Sequence, residues 1–247
     1  MRLIPRFDGK GLGGALLELV LIVFGILAAL GLQSWWDDRA EQAELHEYLV
    51  ALEAEVRDNR MILDQQDAKS VALLAGIENM FGVLADNGRD NLPENFESEL
   101  GRLYDISTVY VTSDTYKDLI NSGILRSVAS RQLRLTLAQY ERRLSRLDFY
   151  TNILWTDYNT NQLPFLTRYA MLSRFGWDDI TGGQVGRRID GPYTSDFAAF
   201  RTREYWNLLY ALRSNNQDLL GGVRRAKLIC DELLALLESE IARHEKS

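Results

Sequence analysis

The chain has 247 residues, 46% of them apolar and 26% charged, with a net charge of −7, one cysteine and two histidines. This length can bury the core of one sizeable domain or two small ones, while the acidic balance argues against a nucleic-acid partner, whose phosphates call for a basic footprint. Cys230 alone cannot form an internal disulfide, so cysteine usage leaves reducing and oxidising compartments both open.

In chain order, residues 1–11 form a short basic start, and residues 12–36 read as a membrane anchor. Between Leu12 and Leu32 there are thirteen Leu, Ile, Val or Phe residues and a single charge, Glu18, over a length that crosses about 30 Å of hydrocarbon. At roughly 0.3 to 0.6 kcal/mol each, the thirteen favour insertion by about 4 to 8 kcal/mol, against about 3 kcal/mol for one mid-span acid. Trp35 and Trp36 fall where an interfacial aromatic belt sits. Glu18, Ile22, Gly25 and Ala29 share one helix face, and Gly25 with Ala29 makes a small-xxx-small pair that lets two spanning helices approach. This face predicts self-association, with Glu18 either bonding between helices or reaching interfacial water. Arg2, Arg6 and Lys10 precede the span and only Arg39 follows closely, which predicts a cytoplasmic N-terminus and a domain across the inner membrane of a bacterium, in the periplasm. A cleaved signal peptide has a similar pattern, but the length of the run, Glu18 within it and the uninterrupted helical sequence beyond favour an uncleaved anchor.

Residues 37–247 read as an elongated, antiparallel, four-helix-like bundle, so the fold class is all-α. No proline and only Gly76 and Gly82 interrupt Trp35 to Asp86. A seam spaced alternately by four and three runs from Leu45 through Leu49, Leu52, Val56, Asn59, Leu63 and Gln66 to Leu84. Asn59 and Gln66 either fix register from within the seam or mark where it loosens into solvent, the commoner outcome. A turn at Gly88 to Pro93 leads to a second helical region as far as Asp105, then a helix capped by Ser113 and stopped near Gly123, with a restart capped by Ser127 or Ser130. A third seam runs from Leu133 to Tyr158, before Pro164 kinks or ends the helix. Residues 173–196 form a long loop, and a fourth seam runs from Tyr205 to Leu237. Alternating directions return the C-terminus to the membrane end.

Candidate chemistry is sparse. The glycine-rich stretch Gly9 to Gly14 lacks the strand and spacing of a phosphate cradle. His46 and His244 approach one another in an up-down-up-down bundle and, with Glu44 or Glu240, form a candidate zinc set, although solvated helix ends are the commoner outcome. Asp178 and Asp179 have no metal-loop spacing beside them. In the long loop Trp177, Arg187, Arg188 and Tyr193 are the candidates for partner contact. Arg131, Arg134, Arg142 and Arg146 share the outer face of the third helix while the first helix is acidic, which reads as a solvated face or as pairing between helices. No hydrolase, zincin, redox-cysteine or EF-hand motif is present, so no catalytic residue and no cofactor are expected.

The stretch "ELVLIVFGILAALGLQSWWDDRAEQAELHEYLVALEAEV", Glu18 to Val56, resembles a bacterial family of single-pass membrane proteins, domain-of-unknown-function family 6090. The likeness lies in a Glu opening the span, the core from Gly25 to Leu30, a Trp at the exit and "EYL" at Glu47 to Leu49; Tyr116 to Tyr140 also looks like that family's Ser-Gly turn before a helix. The family's exit reads closer to Gln-x-x-Asn-x-Trp, whereas here it is Gln33, Ser34, Trp35, Trp36, so no role of that asparagine carries over. The resemblance implies the anchor, the helical domain and the recurrence of Glu18, and no activity. The expected function is therefore a non-enzymatic interaction or scaffold module of the cell envelope, homo-oligomeric and bound to another envelope protein. The alternative is a ligand-sensing bundle acting through a partner, with Trp155, Tyr158 and Trp206 lining a pocket.

Overall fold

The computed structural model describes residues 10–86, 93, 95–105, 109–175 and 192–244, with side chains described from residue 17 onward. All regular structure among them is helical. Helix α1 runs unbroken from Lys10 to Ala85, 76 residues that rise roughly 110 Å. It is followed by α2 (Phe96–Leu103), α3 (Asp114–Asn121), α4 (Arg131–Asp157), α5 (Leu163–Tyr169), α6 (Phe197–Phe200) and α7 (Arg203–His244).

Among the described residues three helices are long, not four. α1 and α4 ascend, α7 descends, and the remaining descending leg is broken into α2, α3 and a 3₁₀ turn at Ile124–Ser127, with residues 109–113 outside any helix. The break has local causes. Gly123 takes a left-handed conformation (φ 78°) that ends α3, and the Ser130 hydroxyl accepts from Leu133 N to start α4. Ser113 stands at the start of α3 but makes no cap bond. Glu55 of α1 does that work, its carboxylate accepting from Thr115 N at 2.8 Å. Nor does Pro164 end the third helix: α4 opens into a π turn at Tyr158–Gln162 and resumes as α5 with the proline in its first turn, where a missing N–H costs least.

All ten positions of the fourth seam, Tyr205 through Leu237, are buried. α7 lies antiparallel to α1 in one register. Arg60 meets Asp231 (2.7 Å), Asp64 meets Lys227 (2.8 Å), Asp67 meets Arg224 (3.2 Å) and Glu78 meets Arg213, each step forward along α1 matched by an equal step back along α7.

The buried apolar side chains form two clusters. One packs Leu45 to Leu63 against α3, α4 and the C-terminal half of α7; the other packs Ile77 to Leu84 against α2, α5, α6 and the start of α7. Between them lies a polar layer of Gln66, Ser70 and Asn216. The seam therefore does not loosen at its polar members. Asn59 is 1% exposed; its amide donates to Thr112 O and Tyr140 Oη, both at 2.6 Å, and its carbonyl accepts from Thr112 N at 3.0 Å. Gln66 donates to Ser70 Oγ at 3.2 Å.

Asn59→Leu removes the partner of Thr112 N and the close donor to the buried Tyr140 hydroxyl, and a buried polar group left poorly paired costs roughly 1 to 3 kcal/mol. The variant should lose about 2 to 4 kcal/mol in denaturant unfolding of the full chain in detergent, whereas Asn59→Gln should lose less.

Hydrogen bonds from Arg60 and then Lys227 hold the Asp64 carboxyl at about 2, below its ordinary 3.8. Its contribution to stability is complete above pH 3.8 and is lost as pH falls towards 2. Thermal unfolding should show a smaller loss of melting temperature over that window in Asp64→Asn than in the parent chain.

Candidate functional site

The most conspicuous feature is an arm with no protein around it. From Leu17 to Ala43 every side chain of α1 is exposed, and this stretch makes α1 the one described helix long and apolar enough, by length and composition, to cross a membrane. None of its most apolar window is buried within the protein. Phe24, at 70% exposure, and Leu17, at 64%, therefore keep their full hydrophobic cost in water, about 1.5 to 3 kcal/mol for each such side chain.

Glu18, Gly25 and Ala29 lie on this arm, all exposed, and nothing stands within 4 Å of where a Gly25 Cβ would sit. Trp35 and Trp36 follow at the end of the apolar run, edge to face at 5.2 Å. The Arg39 guanidinium lies 5.6 Å from the Trp35 ring centre, a cation–π contact that pins one belt residue.

At the arm end of the bundle the C-terminus of α7 returns beside the exit of the arm, and the His46 and His244 rings stand 6.5 Å apart. The side chain of Glu240 is 1% exposed, one oxygen accepting from Arg243 at 2.6 Å. Its other oxygen and His46 Nδ1 are buried without a hydrogen-bond partner. Even so, no group of three His, Cys, Asp or Glu side chains among the described residues is placed to hold a metal, and a closed zinc site needs four ligands.

Cys230 is buried between α7 and the first cluster, and burial pushes its thiol up to about 12. At neutral pH it is a packing residue without thiolate character.

Trp177, Arg187, Arg188 and the aspartate pairs of the long loop lie outside the described residues. Tyr193, at the loop's return, is 73% exposed. The feet of the loop are fixed: Ser195 Oγ accepts from Met171 N at 2.9 Å and donates to Glu97 at 2.7 Å, and Asp196 caps α6 through Ala198 N. Trp155, Tyr158 and Trp206 do not line a common pocket. Trp155 packs on Tyr158 and Trp206 on Phe81 of α1.

A groove of about 980 Å³ is found elsewhere, between α1 and α2, and Gln66, Ser70 and Asn216 line it beside Leu154 and Leu212. The sequence signal for this opening is the polar seam position itself, which reads as a register device until the groove is seen. No family model, curated protein or solved structure matches the chain.

Proposed function

We propose that the protein is a single-pass, membrane-anchored helical module that holds its bundle against another component of a bacterial envelope. One observation carries the anchor: apolar side chains from Leu17 to Leu32 have no protein cover in a chain that buries its other seams. A bilayer supplies the missing cover, and the exit tryptophans suit its interface. Lys and Arg before the span orient the N-terminus to the cytoplasm, so the bundle is periplasmic.

The long packed seams of the bundle suit an interaction role. Its broken second leg keeps it four-helix-like in path, with the short elements standing where a fourth helix would run. The groove over Gln66, Ser70 and Asn216 favours a second reading, a sensing bundle whose ligand enters between α1 and α2. In that reading the chain passes extraction without companions and gains melting temperature with a small ligand.

Membrane fractionation of the native protein followed by alkaline carbonate extraction should leave the full-length chain in the pellet. A chain released to the supernatant, or cut after the arm, overturns the anchor. Crosslinked pulldown from the same membranes should recover a reproducible envelope protein.

Within the membrane, the exposed face of Glu18, Gly25 and Ala29 associates with a second copy. Gly25→Leu and Glu18→Ala should each reduce dimer yield in a span-association assay, and unchanged yields would remove this contact.

A further inference from the structure

Three acids of α1, Asp64, Asp67 and Glu78, take their bases from α7, and Arg60 and Arg57 reach Asp231 and Glu238 in the opposite sense, while no carboxylate stands within pairing distance of Arg142, Arg143, Arg146 or Arg225 among the described residues. In a chain with 35 acids to 28 bases, this is not for want of partners. Glu141 borders the cluster, and Asp218 acts on Tyr150 only through space.

Arg142, Arg143, Arg146 and Arg225 line one groove, with Glu141 at its edge. Thr136 reaches Glu232 across the α4–α7 seam at 3.1 Å, and three to four turns of α4 further on Leu147 and Tyr150 pack on Gly222. Between those contacts, Arg143 and Arg146 come level with Arg225. Gly222 is what makes the approach close: a Cβ there would stand 2.9 Å from the Tyr150 ring. Arg225 folds back so that its guanidinium lies 3.4 Å from the position of a Gly221 Cβ.

Arg146 is held between aromatic rings, 5.5 Å from the centres of both Phe149 and Tyr150, and its Nε donates to Tyr150 Oη at 3.4 Å. That bond, reinforced by the charges of Arg146 and Arg225, draws the Tyr150 hydroxyl below its ordinary value. The hydroxyl accepts from Arg146 and has its own proton to give. Together these side chains edge a groove of about 850 Å³, within the size range of small-ligand sites.

We propose that this α4–α7 groove binds a small multivalent oxyanion of the phosphate-ester class, with Arg143, Arg146 and Arg225 as its charge partners and the Tyr150 hydroxyl as a further donor. Like charges packed together repel, and an anion held by forked guanidiniums offsets that repulsion with charge-assisted, bidentate hydrogen bonds. The donors meet within about a turn of each helix around one hydroxyl, which suits a compact dianion better than an extended acidic peptide. The groove lies at the level of Asp67, which Arg224 pairs with, roughly 45 Å along α1 from Trp36. Lipid headgroups around the arm do not reach it, so the ligand is soluble. The groove is formed by α4 and α7 alone, so the anion site stands without the anchored-module reading; only the exclusion of lipid headgroups rests on that reading.

Inorganic phosphate and pyrophosphate, titrated calorimetrically into the full-length protein in a maltoside detergent at low ionic strength, test it. Saturable one-site binding of pyrophosphate is expected. Binding should weaken at least about tenfold in Arg143→Gln and Arg225→Gln, the loss of one charge-assisted contact, and should stay unchanged in Arg203→Gln. These side chains are exposed, and helical circular dichroism confirms that each variant folds. Absence of saturable binding by either probe, or equal binding in the Arg143→Gln and Arg225→Gln variants, overturns the proposal. Binding of polyglutamate without binding of either phosphate probe overturns it in favour of an acidic protein segment.

Discussion

A stretch of backbone that is not helical must find hydrogen-bond partners outside itself, and at Thr112 one buried carboxamide supplies them. Asn59 pairs with both the N–H and the C=O of Thr112 and ties in the Tyr140 hydroxyl. That amide stands in for a strand partner where residues 109–113 lie outside any helix, just before α3. Glu55, one turn before Asn59, caps the helix that resumes. Two polar side chains of α1 thus fix where α3 begins.

The rest of the architecture follows from that interruption. Where the leg is covered by α3 and the 3₁₀ turn, the core is apolar apart from Asn59 and Thr136; where it is covered by α2, an aromatic cluster fills the end, with Tyr104 bonded to Gln162 and next to Tyr205. Between the two, Gln66, Ser70 and Asn216 line an open groove, where polar side chains tolerate water. The ion pairs of α1 with α7 then have a geometric role. Exposed pairs contribute little energy singly, but four in one register penalise any slip between the two longest helices.

Charge is also distributed by this packing. Asp64, Asp67 and Glu78 of α1 take their bases from α7, and Arg143 and Arg146 of α4 stand without a carboxylate partner near the glycine that lets Tyr150 lie against α7. The first helix is made of two physically different halves: an arm that no protein covers, and a bundle helix whose apolar face is buried throughout. The α-helix runs through both without a break, so any force on the arm is delivered to the bundle core through a rigid rod.

Much of this was legible in the residues. The apolar run from Leu12 to Leu32, the exit tryptophans, the helical class, the stop at Gly123 and the seams of all three long helices follow from composition and a spacing of three and four, since a helix buries one face whatever it packs against. The approach of His46 to His244 followed from alternating helix directions alone. Contacts between distant segments were not legible. Nothing local marks Glu55 as the cap of α3, Asn59 as the partner of Thr112, or Gly222 as the seat of Tyr150. Nor does local sequence say which acids take which bases, so the arginines of α4 read as one more solvated face. Periodicity along one helix fixes which side turns inward, and the sequence determined that much; which neighbour lies on that side, and what it leaves uncovered, depends on atoms brought together from far along the chain, and only the tertiary structure decided it.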